Sequence, residues 1–203
     1  EITSDIFWIR MPLPFKLDHI NLWLLRDAID DEPGWTVIDT GLFNENNKLT
    51  WKSIIKNYFS GLKLLRIICT HMHPDHVGLA NWLCKGLGDE RWSAELLMTH
   101  GEFFTGRTYS LEGKLASRYQ DDSRLSQTSK YFYRHGCNIE TEKYNISERS
   151  YFYSSMVPDF PSTFRKLSNR QKLKIGKLTW TVITGSGHSP EHISLYNSKK
   201  KLV

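Results

Sequence analysis

Cysteine is scarce. Three residues (Cys69, Cys84 and Cys137) in a chain of 203 are odd in number and far apart, a pattern that fits neither a disulfide scaffold nor a cysteine-based zinc finger. Long apolar runs are missing too. None approaches the ~18 residues that a membrane-spanning helix needs, so no membrane partner is expected. No basic-then-apolar leader opens the chain, which begins on Glu1 rather than Met, as a trimmed start would. With cysteine so rare, a reducing, cytoplasmic setting is the expectation. Charge of one sign is also in short supply. Lys and Arg number 27 against 22 Asp and Glu, a net +5 spread along the chain except for Lys199-Lys200-Lys201. That balance reads as a solvated surface and names no anionic partner.

The makings of a core are present. Hydrophobic residues reach 39% and charged residues 24%, with 7 Trp, 9 Tyr and 10 Phe, a globular balance at a length suited to one domain. Segments 6–10, 20–25 and 35–38 read as strands, with an acidic, turn-forming stretch over 27–34. Trp51, Ile54, Ile55, Tyr58 and Phe59 fall at helical spacing and predict a helix over 49–59. A strand over 64–69 runs into a polar loop, and 77–87 reads as a helix ending at Gly88. A short strand follows at 96–99. From 101 to 164 the chain turns polar, aromatic and helix-like, a helical insertion with helices expected near 124–135 and 141–155. Strands resume at 171–175, 178–184 and 192–196.

Chemistry concentrates in the polar loop. Of eight histidines, three lie within six consecutive positions in Thr70-His71-Met72-His73-Pro74-Asp75-His76. In an extended segment His71 and His73 point to one side, while Pro74 bends the path and sets Asp75 and His76 at a strand-to-helix junction. Imidazoles with a carboxylate suit zinc, or iron or manganese where oxygen donors are more numerous. The spacing suits two metals about 3.5–4 Å apart, an arrangement that serves hydrolysis. A second loop, Gly185-Ser186-Gly187-His188-Ser189-Pro190-Glu191-His192, turns on its glycines and can project His188 toward the first metal. His192 is open between a role supporting the metal ligands or facing substrate and simple strand packing. Asp39, in Asp39-Thr40-Gly41, is placed to orient the histidine loop.

These residues resemble the metallo-β-lactamase-fold hydrolases, whose hallmark Thr-His-X-His-X-Asp-His loop stands here at positions 70–76. The similarity is closest to a bacterial subgroup related to glyoxalase II that often carries a C-terminal winged-helix-like domain. It rests on Met11-Pro12-Leu13-Pro14-Phe15 and on the form of the His188 loop. The resemblance implies an α/β fold, an αββα sandwich over 1–203 with the helical insertion at 101–164. It implies two divalent metal ions, zinc above iron or manganese. His71, His73 and His188 hold one, and Asp75 and His76 the other, with Asp75 also bonding the attacking hydroxide. A metal-bridging Asp and a final His, which the family requires, do not follow His192. The resemblance therefore implies a domain incomplete at its C-terminus, with Lys200 to Val203 leading toward the missing Asp.

The function so implied is hydrolysis of an ester, thioester, lactone or amide by a metal-bridging hydroxide. Phe103, Phe104, Tyr109, Tyr131, Tyr133 and Tyr153 are candidates for a substrate wall, with core packing as their alternative. Two other functions remain open. One is a nuclease using the same metals on RNA or DNA, which no basic aromatic stripe supports. The other is a non-catalytic di-iron module for metal or redox sensing.

Overall fold

β1 (Ile6–Pro12) and β2 (His19–Ile29) pair antiparallel, and β2 returns into β3 (Glu32–Ile38) through the two-residue turn Asp30-Asp31. Both turn residues have positive φ, 50° and 63°, the backbone whose twist matches a tight hairpin and which Asp tolerates. The computed structural model describes residues 2–89, 91–119, 134, 136 and 152–203. The helices expected near 124–135 and 141–155 fall outside them, apart from Arg134 and residues 152–155, which are helical. Cys137, Tyr131 and Tyr133 also lie outside.

After β3 the sheet continues in parallel. β4 (Lys63–Ile68), β5 (Glu95–Met98) and the two-residue β6 (Arg165–Lys166) complete six strands in the order β1-β2-β3-β4-β5-β6. A second, antiparallel sheet holds β7 (Lys172–Ile175), β8 (Leu178–Gly185) and β9 (His192–Tyr196). Helices α1 (Glu45–Tyr58), α3 (Ala80–Cys84) and α4 (His100–Tyr119) cover the far face of the larger sheet. Trp35, Trp51, Leu83 and Phe103 are buried in that layer. Between the sheets lies a second core, in which Ile6, Leu25, Ile68 and Leu97 meet Trp180, Val182, Ile193 and Leu195. The described residues thus make helix, sheet and sheet layers of an α/β sandwich, with Lys172, Lys174 and Thr179 exposed on the outer face of the smaller sheet. No described helix is long and apolar enough to cross a membrane.

Two elements depart from the sequence pattern for visible reasons. The helix expected from 49 starts at Glu45, because Asn44 caps it by accepting from Asn47 N–H at 2.8 Å. The helix expected over 77–87 is broken into α2 (Pro74–Val77), α3 and a 3₁₀ turn. Gly78 lies at the break. A Cβ there would stand 2.5 Å from Pro74 O, 2.7 Å from Phe43 N and 2.9 Å from Gly41 O. The chain crosses backbone on backbone at that point, which only glycine permits.

Asp27 belongs to β2, not to a turn, and is buried. It forms an ion pair with buried Arg66 of β4, whose Nε donates at 3.0 Å, and it accepts from the Thr36 hydroxyl of β3. Its other oxygen accepts from Gly176 N–H at 2.7 Å, and Arg66 donates to Lys174 O at 2.8 Å. One charge pair therefore ties three strands of the large sheet to the β7–β8 hairpin.

Candidate metal centre

The site gathers at the C-terminal ends of β3, β4 and β8, where loops leave the two sheets. Asp39 follows β3 with φ +61°, a left-handed backbone that an Asx side chain tolerates. Its buried carboxylate accepts from Thr70 N–H at 2.7 Å and from the Thr70 hydroxyl at 2.8 Å, and it meets His76 Nδ1 at 2.8 Å. Thr40 N–H and hydroxyl both donate to His76 O at 2.8 Å. Trp51 of α1 donates its indole N–H to Thr40 O at 2.7 Å. The Asp-Thr-Gly loop therefore grips the histidine loop from below and is itself held from the helix layer.

Three imidazoles converge above it. His71 Nε2 lies 3.0 Å from His73 Nδ1 and 3.1 Å from His188 Nε2, and the ligand atoms of all three fall within 4.8 Å of one another. Nδ1 of His71 is turned away to the Thr70 hydroxyl at 2.9 Å. Burial, with His76, His73 and His188 close by, pushes the His71 imidazole down to about 3. His73 is lowered too, by burial first and then by His188. Imidazole nitrogens crowded on one point form the kind of donor set that can hold a metal ion. Tetrahedral zinc at ~2.0–2.1 Å from each nitrogen implies N···N separations near ~3.3 Å, close to the 3.0 and 3.1 Å about His71. The residues fit a divalent cation.

Asp75 and His76 sit beside this cluster. His76 Nε2 is 3.4 Å from Asp75 Oδ2, and its ring centroid is 4.0 Å from that of His71. Burial lowers the His76 imidazole, but the Asp39 charge and bonds to Asp39 and Asp75 outweigh it and raise it to about 10. Burial likewise raises the Asp75 carboxyl, and the His76 contacts outweigh that to hold it below the usual range. His192 opens β9 and is not among the three clustered histidines. Its ring covers Gly185, where a Cβ would stand 2.7 Å from ring atoms.

The aromatic candidates divide. Phe103 is buried and stacks on Phe164 at 3.8 Å, while Phe104 is exposed. Tyr153 is buried and donates its hydroxyl to Met72 O at 2.7 Å, bracing the peptide between His71 and His73. Sequence reasoning missed that role, since nothing local to Tyr153 points to residue 72. Gly106 of α4 lets the helix approach the same place. A Cβ would meet Phe160 at 2.7 Å, the Tyr153 hydroxyl at 2.8 Å and Met72 Cβ at 2.9 Å. Gly106→Ala is expected to lower stability by about 1–3 kcal/mol through overpacking, read as a lower thermal midpoint.

An α/β sandwich with a histidine cluster at its strand ends makes a candidate metal centre, and the relatives of the chain share its fold. The family model of the Metallo-beta-lactamase superfamily matches residues 16–203, and the chain belongs to that superfamily. A beta-lactamase domain protein from Burkholderia ambifaria is 40% identical, with a TM-score of 0.80 over 98% of this chain and 51% of its own. A metallo-beta-lactamase family protein from Thermus thermophilus is 22% identical, with a TM-score of 0.67 over 97% of this chain and 56% of its own. BJP-1, a subclass B3 metallo-beta-lactamase of Bradyrhizobium japonicum, shares the fold at 18% identity and a TM-score of 0.54, covering 97% of this chain and 55% of its own. The chain spans about half the length of these solved relatives. No curated protein matches it significantly.

Proposed function

We propose that the chain carries the metal-binding part of a hydrolase acting on a small-molecule ester, thioester or lactone. The observation behind this is the convergence of His71, His73 and His188 on one point, with burial holding the His71 and His73 rings neutral. In this reading they hold one divalent ion, with zinc preferred to iron or manganese. Asp75 and His76 would supply donors to a second, with His76 giving up the proton that Asp39 and Asp75 otherwise hold on it. Bound metal would contribute Lewis acidity, polarising a carbonyl and bringing water ionisation toward neutral pH. The protein does the rest. Asp39 fixes the His76 ring through Nδ1, which leaves Nε2 turned to the Asp75 side. Asp75, ionised at neutral pH and partly open to solvent, accepts a proton at its carboxylate as water adds to the carbonyl. The buried flank of His71 keeps bulk water from that side of the centre.

The test is turnover of ester, thioester and lactone panels in zinc-supplemented buffer, with His73→Ala as the comparison. At least ~100-fold lower turnover by the variant is expected, as for loss of a group that holds the reacting centre together. Equal turnover would sink the proposal. Phosphodiester hydrolysis is the second reading, drawn from the exposed cations Lys166, Lys172 and Lys174 on β6 and β7. It requires nucleic-acid binding that weakens steeply with salt.

A further inference from the structure

Glu102 plays no part in the chemistry above, yet no part of it reaches solvent. It stands in the first turn of α4, where the helix dipole favours a negative charge. A carboxylate that deep must have its oxygens satisfied by donors. Oε2 accepts from Met72 N–H at 2.9 Å, at the residue between His71 and His73. Oε1 accepts from the Ser189 hydroxyl at 2.7 Å and from Glu191 N–H at 2.6 Å, one and three residues beyond His188. The two oxygens are thus divided between the two loops that carry the three imidazoles.

The second loop answers in kind. Glu191 accepts from Gly101 N–H at 3.1 Å through its side chain and from the Thr99 hydroxyl at 2.9 Å through its carbonyl. A Cβ on Gly101 would stand 3.0 Å from Glu191 Cβ, so the loop is seated directly on the start of α4. Glu102 thus bonds both loops at once from an element that belongs to neither. Replacing one carboxylate oxygen by an amide NH2 sets a donor against a donor on one of the two sides.

We propose that Glu102 is a positioning residue that couples the two histidine loops, setting the distance of His188 from the His71–His73 pair and with it the affinity for a divalent cation. This rests on reading the three imidazoles as a metal centre. The test is a double-mutant cycle on the full chain, with Zn2+ affinity measured by competition with a chromophoric chelator. Glu102→Gln is expected to weaken Zn2+ binding by about 10–100-fold, the range for partners that orient ligands. In a His188→Ala background the same change is expected to cost no more than about twofold, because no third ligand remains to be placed.

Equal losses in both backgrounds would overturn the coupling, since Glu102 would then support the first loop or the fold alone. Unchanged affinity in Glu102→Gln would overturn it as well. Unchanged affinity in His188→Ala would remove the metal-centre reading and the coupling with it. A wild-type chain that binds Zn2+ but turns over no substrate defeats the hydrolase reading and leaves the cycle standing. Should Glu102→Gln not fold, Ser189→Ala removes one bond on the His188 side only. It is expected to weaken Zn2+ binding several-fold, and only while His188 is present; a loss independent of His188 would overturn the proposal.

Discussion

Replacing Asp27 by alanine is expected to lower the unfolding free energy by about 3–5 kcal/mol. For a domain of this size that corresponds to a fall of about 6–20 °C in thermal midpoint. The reason is what the change leaves behind. Arg66 keeps a buried guanidinium without its counter-charge, and Gly176 N–H and the Thr36 hydroxyl lose their acceptor. Total stability in proteins is often only ~5–15 kcal/mol, so the loss is a large share. Adding Arg66→Met is expected to recover much of it, because an apolar pair of similar volume needs no desolvation. Urea unfolding of both single variants and the double variant reads the cycle. A double variant no more stable than Asp27→Ala would show that the hydrogen bonds, not the charges, carry the tie.

Removing the His71 imidazole is expected to act in the opposite way, on the cation and hardly on the fold. Four-ligand zinc-finger sites bind with ~10–16 kcal/mol, or roughly 2.5–4 kcal/mol per ligand. His71→Ala should therefore weaken Zn2+ binding by about two to three orders of magnitude. The metal-free protein should be little affected, since the ring's Nε2 faces two other ring nitrogens, at 3.0 and 3.1 Å, that belong to the same site. Calorimetric titration with Zn2+ and thermal melts in chelator separate the two effects. Wild-type affinity in His71→Ala would rule out the convergence as a metal centre.

The histidine loop was legible because its information is local. Three histidines and an aspartate in seven residues need no partner to be noticed, and the strand at 192–196 coincides with β9. Features that depend on distant partners were not legible. Asp27 looked like part of a turn because Arg66, which makes its burial tolerable, is 39 residues away. Glu102 lies in a polar, aromatic stretch without a motif, and its meaning arises only where residues 72 and 189 meet. Apolar spacing after Val77 suggested one helix, and the crossing at Gly78 that breaks it is invisible to periodicity. Short-range pattern picked out histidines that the fold brings together, while long-range contact decides what holds them.

The sequence separation of the three histidines also sets the order in which the cluster can come into being. His188 meets His71 across 117 residues, a loop whose closure costs about 4 kcal/mol of chain entropy. A chain emerging from the ribosome therefore presents His71 and His73 long before their third companion. During that interval it offers a cation a two-nitrogen chelate without a roof. Only after β7, β8 and β9 have been made and laid against the first sheet does the third nitrogen arrive. Tight capture of a cation by all three nitrogens would consequently be a late event in biosynthesis, following the closure of the two sheets.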